Sequence, residues 1–245
     1  MGKTMFSVVI PAHNEEQYIG KCLQSILRAA EAVRPEEVEI LVVANRCTDQ
    51  TCAIAEASGA RVLVNDDKCI AAIRNTGVKA AKGEMIVTID ADSVMDEKAL
   101  AEVREKLESG KFVGGGTKVR FDRMSVGMAF SALYVGLNLV PVMFKNGGFL
   151  SGAMFWFRKE DFEAIGGFNE SLVSLEDMDF ASRLKKLGKQ KKQKYGTLKR
   201  SQVVTSSRKF DEFGDWYLIK NRKLTKRIFT GKDRAAADRF YYDVR

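Results

Sequence analysis

Two pairs of acidic residues are the first features of the sequence that could do chemistry. Asp90 and Asp92 stand one residue apart in the segment TIDADSV, where an apolar run ends. Glu176 and Asp177 are adjacent in the segment LEDMDF. Divalent Mg²⁺ or Mn²⁺ takes hard oxygen ligands, and Mg²⁺ commonly combines one or two carboxylates with substrate phosphates. The first pair therefore predicts a metal site, and the second could supply a general base for a hydroxyl group.

Each pair also has a structural interpretation that needs no catalysis. Asp and Ser are frequent in turns and caps, so Ser93 or Asp96 could simply begin the next helix. Acidic residues in a first helical turn interact favourably with the helix dipole, which would account for Glu176 and Asp177. His13 is the only histidine in the chain, so a histidine-based catalytic triad has no support in the sequence.

The elements that must position these acids alternate between strand and helix through the first 110 residues. The predicted strands are 6–10, 38–43, 60–64 and 85–89. The first predicted helix is capped by Asn14 and ended by Pro35, and three further helices are predicted at 48–59, 69–83 and 96–110. Such alternation predicts βαβ units and a mostly parallel sheet, with ligands beyond the carboxyl ends of the strands. We therefore expect Pro11–Glu15, Ala44–Asn45 and Asp90–Asp92 to share one rim.

The second half of the chain has a less regular pattern. The segment 111–121 reads as a strand with glycines for close backbone approach, 151–162 as a strand running into a helix, and 175–188 as a helix. A basic stretch follows at 189–200, and the tail from Asp211 reads as helical. The predicted fold class is α/β, with a Rossmann-like, mostly parallel central sheet, flanking helices and a C-terminal helical extension.

Composition narrows the partners. The 245 residues carry a formal net charge of +8, which favours polyanionic partners. No RNP, KH or helix-turn-helix signature is present, so we expect no nucleic acid partner. The four cysteines lack zinc-site spacing, and the N-terminus lacks a signal-peptide core, so we expect reduced thiols in a cytoplasmic protein.

The uncharged stretch 126–144 is long enough to form a membrane-spanning helix. A single span would place Asp92 and Asp177 on opposite sides of the membrane, and we reject it for that reason. Two interpretations stay open: buried core, or an apolar surface that meets lipid or a partner. In the tail, basic residues alternate with Trp216, Ile219, Leu224 and Ile228. This pattern has two interpretations: peripheral contact with the inner face of a membrane, or a basic surface exposed to solvent.

Four segments resemble a known family when they are taken in order. They are VVIPAHNEEQYIGKCLQSI, VVANRCTDQTCAIA, AAIRNTGVKAAKGEMIVTIDADS and FRKEDFEAIGGFNESLVSLEDMDFASRLKKLG. Their order is similar to that in family-2 glycosyltransferases, which are inverting enzymes with the type A fold, and the resemblance covers about residues 5 to 210. It implies a nucleotide-sugar donor, Mn²⁺ or Mg²⁺, and a carbohydrate or lipid-linked acceptor.

The resemblance also assigns roles by position. Asp92, with Asp90, would bind the metal, and Asp177 of the Glu176–Asp177 pair would be the catalytic base. The implied donor-binding residues are Pro11, Ala12, His13, Glu15, Asn45, Arg74, Asn75, Asp90, Ala91, Ser151, Gly152 and Arg208. The family commonly has two aspartates after its second strand, whereas this chain has Ala44 and Asn45, so the nucleotide stays open.

The resemblance gives a catalytic domain at 1–210, with a nucleotide-binding half at 1–95 and an acceptor half at 96–210, and a basic helical extension at 211–245. A nucleotidyltransferase is an alternative, but PAHNEEQ is acidic and lacks the glycine-rich, basic loop it would need. A glycoside hydrolase would also use two carboxylates, without other support here. A non-catalytic relative that binds nucleotides or polyanions is the remaining alternative, against which Asp90, Asp92 and Asp177 argue.

Overall fold

A computed structural model of the chain describes residues 4–145, 153–172, 175–222 and 224–225. The strands are β1 Thr4–Ala12, β2 Glu37–Ala44, β3 Arg61–Val64, β4 Met85–Ile89, β5 Ser93–Met95, β6 Phe112–Phe121, β7 Met154–Arg158 and β8 Lys194–Thr205. The helices are α1 Ile19–Glu31, α2 Thr51–Ala57, α3 Ile70–Ala80, α4 Ala99–Glu108, α5 Val126–Lys145, α6 Lys159–Ala164, α7 Glu176–Gln190, α8 Arg208–Phe213 and α9 Tyr217–Lys220.

The described strands form one sheet in the order β3-β2-β1-β4-β7-β6-β8-β5. The β1–β2, β1–β4, β2–β3 and β6–β8 pairs are parallel, whereas β7 is antiparallel to both β4 and β6, and β5 is antiparallel to β8. The predicted α/β class is confirmed: four of the seven strand pairs are parallel, and the three antiparallel pairs make the sheet mixed rather than purely parallel. A buried run such as MFWF in β7 indicates a central strand without indicating its direction.

Helices cover both faces of the sheet. Val8 and Ile10 of β1 pack with α1 and α4 on one face, and Val9 packs with α3 and α7 on the other. Because central strands are buried on both faces, they read in the sequence as continuous apolar runs. The candidate site lies at the carboxyl ends of these strands, where open α/β sheets bind their ligands.

Two glycine contacts set how closely the layers approach. A Cβ added to Gly77 of α3 would lie 2.2 Å from Cγ1 of Val9, so only glycine lets α3 rest directly on β1. A Cβ on Gly115 of β6 would lie 2.0 Å from the carbonyl oxygen of Gly196 on β8. The predicted close-approach strand at 111–121 is thus present, as β6.

The first turn after β1 differs from its prediction. Asn14 does not cap a helix: α1 begins at Ile19, and Asn14 adopts a left-handed φ of 50°. Its side-chain oxygen accepts a hydrogen bond from the backbone N–H of Thr48, at 2.8 Å. An Asn at this position can cap a helix or tie two loops together, and the sequence alone does not distinguish the two.

Two strands were missed by the sequence pattern. The basic stretch 189–200 continues α7 and then enters β8, whose lysines and arginines lie on its exposed face. Ser93–Met95 forms the short strand β5 ahead of α4, where only a helix start was predicted. Strand β8 is half exposed with a charged outer face, so it lacks the apolar run that identifies a central strand, and β5 is only three residues long.

The uncharged stretch is a helix with an exposed apolar stripe. Val126, Phe130, Leu133 and Leu137 of α5 are all more than half exposed, so the buried-core interpretation is wrong for this part of the helix. Within the described ranges, no helix is long and apolar enough to cross a membrane.

The tail is not one continuous helix where it is described. Gly214, with φ 86°, separates α8 from the four-residue α9. Helix α8 also runs across residue 210, where the extension was expected to begin. The predicted stripe member Ile228 lies outside the described residues.

Candidate active site

Three strand ends meet at one rim, as the sequence predicts. Ala12 at the end of β1 is in register with Ala44 at the end of β2, and Val9 is in register with Thr88 near the end of β4. The loops that follow carry His13 and Glu15, Asn45, and the Asp90–Asp92 segment. Pro11, Ala12 and Ala91 are buried at this rim.

Arg74 joins the two acidic pairs. Its Nη1 lies 2.7 Å from Oε1 of Glu176, and its Nη2 lies 3.0 Å from Oδ1 of Asp90. Burial alone would lower the pKa of Arg74, but the charges of Asp90 and Glu176 raise it, so this buried guanidinium is permanently charged. Acids far apart in the sequence are therefore held beside one cation.

Asp177 lies in the first turn of α7, next to this ion pair. Leu175, with a left-handed φ of 64°, directs the chain into the helix, and Oδ1 of Asp177 accepts the N–H of Met178 at 2.7 Å. Burial raises the pKa of Asp177 and the charge of Asp90 adds to the rise, against the opposing effects of Arg74 and the Met178 N–H. A carboxylate with a raised pKa is a stronger base once ionised.

Glu176 is held differently from its neighbour. Burial is also the main cause that raises the pKa of Glu176, and the Arg74 guanidinium opposes it. Its Oε1 oxygen lies 2.7 Å from Nη1 of Arg74. The arrangement fits Glu176 as a residue that fixes the position of Arg74.

Asp92 meets a second arginine. Arg208 forms a fork on Glu15, with Nη1–Oε2 and Nη2–Oε1 distances of 2.6 and 2.7 Å, and its Nη2 lies 3.0 Å from Oδ2 of Asp92. The carbon of this guanidinium lies 4.7 Å from the ring centre of Tyr18, a residue that the sequence analysis missed. Glu15 and Arg208, predicted from distant segments, thus meet at Asp92.

The missed strands explain how Arg208 reaches the rim. Ser93 of β5 pairs with Thr205 of β8, and the N–H of Ser206 donates to the carbonyl of Asp92 at 3.1 Å. Arg208 follows three residues after Thr205, at the start of α8. The short pairing after the aspartate segment therefore brings the end of β8 against it.

The side chains of Asn45 and Asn75 hydrogen-bond to neighbouring loops. Nδ2 of Asn45 donates to the carbonyls of Asn65 and Asp67, at 2.6 and 2.9 Å. Asn75 donates to the carbonyl of Phe168 and to Glu170, and it accepts the N–H of Phe168. Both side chains are buried and hold loops at the positions where direct donor contacts were expected.

Of the remaining residues expected to contact the donor, His13 is described by the structure. Nδ1 of His13 lies 2.6 Å from the carbonyl of Asn45, which fixes the ring between the first two rim loops. Ser151 and Gly152 lie outside the described residues.

Two further residues beside the acids were not anticipated. The Cys22 thiol lies 3.7 Å from the carbonyl of Asp90, and its pKa is raised by burial and then by Asp92, Asp90 and Glu15. The buried hydroxyl of Tyr195 has no hydrogen-bond partner among the described residues, and burial together with the charge of Asp177 raises its pKa. Neither residue has a sequence signal beyond its strand or helix periodicity.

The acids at the rim suit a hard cation. Five carboxylates (Glu15, Asp90, Asp92, Glu176 and Asp177) stand against the two guanidinium groups of Arg74 and Arg208. Asp90 and Asp92 offer carboxylate oxygens on partly exposed side chains, which are ligands that Mg²⁺ and Mn²⁺ accept. Within the part of the chain that the structure describes, no three His, Cys, Asp or Glu side chains are grouped to hold a metal ion.

Solved structures establish the class of fold. Staphylococcus aureus TarS 1–349 in complex with UDP-GlcNAc aligns with a TM-score of 0.62 at 19% identity, covering 98% of this chain and 71% of that one. The mannosyltransferase PcManGT from Pyrobaculum calidifontis, in complex with GDP-Man and Mn²⁺, aligns with a TM-score of 0.65 at 18% identity, covering 93% and 62%. The fold is the type A fold of glycosyltransferases.

The family follows from the sequence match. The profile of "Glycosyl transferase family 2" matches residues 7–166, and the chain belongs to this family. Glycosyltransferase GlyG of Streptococcus pneumoniae is 29% identical over 110 residues, which are 42% of this chain and 35% of GlyG. The match thus spans about a third of that relative's length.

Proposed function

We propose that the chain is a metal-dependent, inverting glycosyltransferase that moves a sugar from a nucleotide-sugar donor to an acceptor hydroxyl. The observation that carries this proposal is the Arg74 bridge between Asp90 and Glu176. It supports the proposal because it holds Asp90 and Glu176, the neighbour of the proposed base Asp177, beside one side chain, as transfer would require. The same rim is where open α/β sheets bind their ligands.

Asp92 and Asp90 are the proposed metal ligands. Their carboxylate oxygens suit Mn²⁺ or Mg²⁺, and the excess of acidic groups needs added positive charge before a diphosphate can approach. A bound metal would supply positive charge to the departing nucleoside diphosphate. Arg74, buried between the acidic pairs, would add to that charge from a fixed position.

Asp177 is the proposed base. A hydroxyl within hydrogen-bond reach would give its proton to Asp177 while it attacks the anomeric carbon from the face opposite the leaving group. A single displacement of this kind inverts the configuration and needs no covalent nucleophile. Glu176 would act as a positioning residue, since its carboxylate holds Arg74.

The rim loops are the proposed donor pocket. Pro11, Ala12, His13 and Ala91 would contact the nucleotide through backbone and ring atoms, and Asn45 would shape the pocket through the loop at 65–67. Relatives of this fold bind UDP-GlcNAc and GDP-Man, so both uridine and guanosine nucleotides are candidates. Asn75 would not contact the donor directly, but would fix the turn at 168–170 through its hydrogen bonds.

The division of labour along the chain is also a proposal. Residues 1–95 supply the proposed metal ligands and donor loops, and residues 96–210 supply Asp177 and Arg208. Residues 1–210 would form the catalytic domain and residues 211–245 an extension.

We further propose that α5 touches an anionic bilayer, with a carbohydrate or lipid-linked acceptor, at the inner face of the membrane. Phe130, in its exposed apolar stripe, stacks on Trp216 at 5.8 Å, and Arg222 lies 5.9 Å from the ring centre of Tyr134. Apolar stripes flanked by tryptophan and cations are typical of helices that lie in an interface. Flotation with anionic vesicles at low salt tests the contact: wild type should float and Leu133→Asp should not.

Thermal shift with UDP and GDP, with and without Mn²⁺, tests the proposed function. A nucleotide that binds the folded chain raises its unfolding temperature by mass action. We expect stabilisation by one nucleotide, larger with Mn²⁺ than with EDTA. No shift with either nucleotide would contradict the proposal. A non-catalytic relative would bind without releasing free nucleoside diphosphate from a nucleotide sugar, and a nucleotidyltransferase would release pyrophosphate from a nucleoside triphosphate.

A further inference from the structure

Arg208 already occupies the carboxylate that the proposed metal needs. Its Nη2 atom lies 3.0 Å from Oδ2 of Asp92, while its fork engages both oxygens of Glu15. The charges of Glu15 and Asp92 raise the pKa of this guanidinium against the opposing effect of burial. A permanent cation of the protein therefore neutralises Asp92.

The two partners of Arg208 are held unequally. Glu15 is 1% exposed and receives two parallel, charge-assisted hydrogen bonds, the strongest geometry available to an arginine. Asp92 shares one nitrogen of that fork, at a longer distance. The contact with Asp92 is therefore the one that can be released while Glu15 keeps the guanidinium in place.

A divalent cation at Asp92 and the Arg208 guanidinium repel each other when nothing lies between them. A diphosphate removes this conflict, because its oxygens can accept hydrogen bonds from an arginine and coordinate the metal. Tyr18, whose ring lies under the guanidinium, keeps the fork at the rim where such an anion would enter. The two cations become compatible once the anion is present.

We propose that Arg208 is an exchangeable counter-charge that couples metal binding to nucleotide binding. Without nucleotide, Nη2 pairs with Asp92 and weakens metal binding there. When a nucleoside diphosphate enters, Nη2 passes to a phosphate oxygen, Oδ2 of Asp92 turns to the metal, and Glu15 holds the guanidinium throughout. The identity of the anion rests on the proposed function, whereas the competition at Asp92 rests only on the contacts described.

Three variants separate the contacts. Arg208→Gln removes the counter-charge, but it leaves Glu15 buried without its cation and could unfold the chain. The double variant Glu15→Gln, Arg208→Gln removes both charges together and avoids that problem. Glu15→Gln alone removes the charge that holds Arg208 away from a full pair with Asp92, so Arg208 should compete more strongly with the metal for Asp92. Arg200→Gln is the matched control, since Arg200 is an exposed arginine of β8 that pairs with Glu105.

The first measurement is Mn²⁺ binding without nucleotide, from the electron paramagnetic resonance signal of free Mn²⁺, on variants whose circular dichroism matches wild type. Removing the counter-charge, in the single or the double variant, should tighten Mn²⁺ binding by about tenfold, within the usual range of coupling between sites. Glu15→Gln should weaken it, and Arg200→Gln should leave it unchanged. If the double variant binds Mn²⁺ no more tightly than wild type, the proposal is wrong.

The second measurement is calorimetric binding of UDP and GDP, with and without Mn²⁺. In wild type, Mn²⁺ should increase the affinity for one of the two nucleotides by about tenfold or more. In the double variant this increase in affinity should largely vanish. An unchanged gain would overturn the exchange. If wild type binds neither nucleotide under any condition, the proposed function fails and the exchange fails with it, while the Mn²⁺ measurement still decides whether Arg208 competes at Asp92.

Discussion

Nη1 of Arg74 lies 2.7 Å from Oε1 of Glu176, although 102 positions separate the two residues in the sequence. Arg74 projects from α3 and Glu176 opens α7, two helices on the same face of the sheet. The pair is almost fully buried, and Asp90 completes it from the end of β4. A buried ion pair is strongly sensitive to removal of one partner, because the other charge is left without compensation.

Arg74→Ala should therefore destabilise the protein by about 3–5 kcal/mol, as expected when one partner of a buried ion pair is removed. Urea unfolding at neutral pH measures the change in the free energy of unfolding. Arg28→Ala is the control, since Arg28 is exposed and pairs with the exposed Glu97, and it should cost no more than about 1 kcal/mol. Equal losses in the two variants would contradict the bridge.

Asp177→Asn should abolish sugar transfer while nucleotide binding stays close to wild type. Removing a general base costs about 10²- to 10⁴-fold in rate, whereas an amide of the same shape preserves the start of α7. Transfer is measured as release of nucleoside diphosphate, and binding by calorimetry. Asp179→Asn is the matched control: Asp179 lies in the same helical turn but pairs with Arg183, and its replacement should leave the rate nearly unchanged. Loss of nucleotide binding in Asp177→Asn would assign this residue to the donor instead.

The pH profile of transfer gives an independent check on Asp177. Its pKa is raised above the ordinary value of an aspartate, mainly by burial. A base works only when ionised, so activity should fall as the pH falls through this raised pKa, at a higher pH than for an exposed aspartate. The acid limb of kcat/KM, which reports the free enzyme, is the measurement. A limb at the pKa of an exposed aspartate would argue against a buried base.

The sequence predicts the rim of strand ends better than it predicts the strands β5 and β8. The rim at Ala12, Ala44 and Ile89 follows from apolar runs and the direction of βαβ units, both of which are local signals. The meeting of Arg74 with Glu176 could be expected only from the resemblance, because the pairing of α3 with α7 depends on packing across the whole sheet. Local patterns carry no information on such distant contacts.

Arg208 illustrates what the local patterns miss. Its place at Asp92 depends on β5, three residues long, and on β8, whose outer face is basic. Both strands are recognisable only by their partners. Asn45 and Asn75 show the opposite problem: their positions match the family motif, but their amides are committed to loop carbonyls, which a motif cannot indicate.

Glu102 should make stability depend on pH. This buried carboxylate of α4 accepts the backbone N–H groups of Lys199, Arg200 and Ser201, at 2.7, 3.1 and 3.0 Å, where β8 is irregular. Burial alone would raise the pKa of Glu102, but these hydrogen bonds and the Lys106 ammonium outweigh it and lower the pKa. A carboxyl with a depressed folded pKa contributes stability above its unfolded pKa, and the contribution is lost as the pH falls through the folded value.

Glu102→Gln should accordingly lose about 2 kcal/mol at neutral pH, the usual contribution of hydrogen bonds to a charged group. The difference from wild type should shrink below about pH 4, where the unfolded chain binds the proton. Glu105→Gln is the control, because Glu105 is exposed and pairs only with Arg200 among the ion pairs described. A difference that stays constant down to pH 3 would show that the charge of Glu102 does not contribute.

Gly77→Ala tests whether the close approach of α3 to β1 positions Arg74. The new Cβ would lie 2.2 Å from Cγ1 of Val9 and 2.9 Å from Cγ2 of Val43, so the helix must move away from the sheet. Overpacking of this kind costs about 1–3 kcal/mol, and displacement of α3 should also weaken nucleotide binding because Arg74 moves with it. Gly136→Ala is the matched control on α5, where an added Cβ meets nothing within 4 Å and should stabilise the helix by about 1 kcal/mol. Urea unfolding and calorimetry measure the two effects, and full nucleotide affinity in a destabilised Gly77→Ala variant would separate Arg74 from this contact.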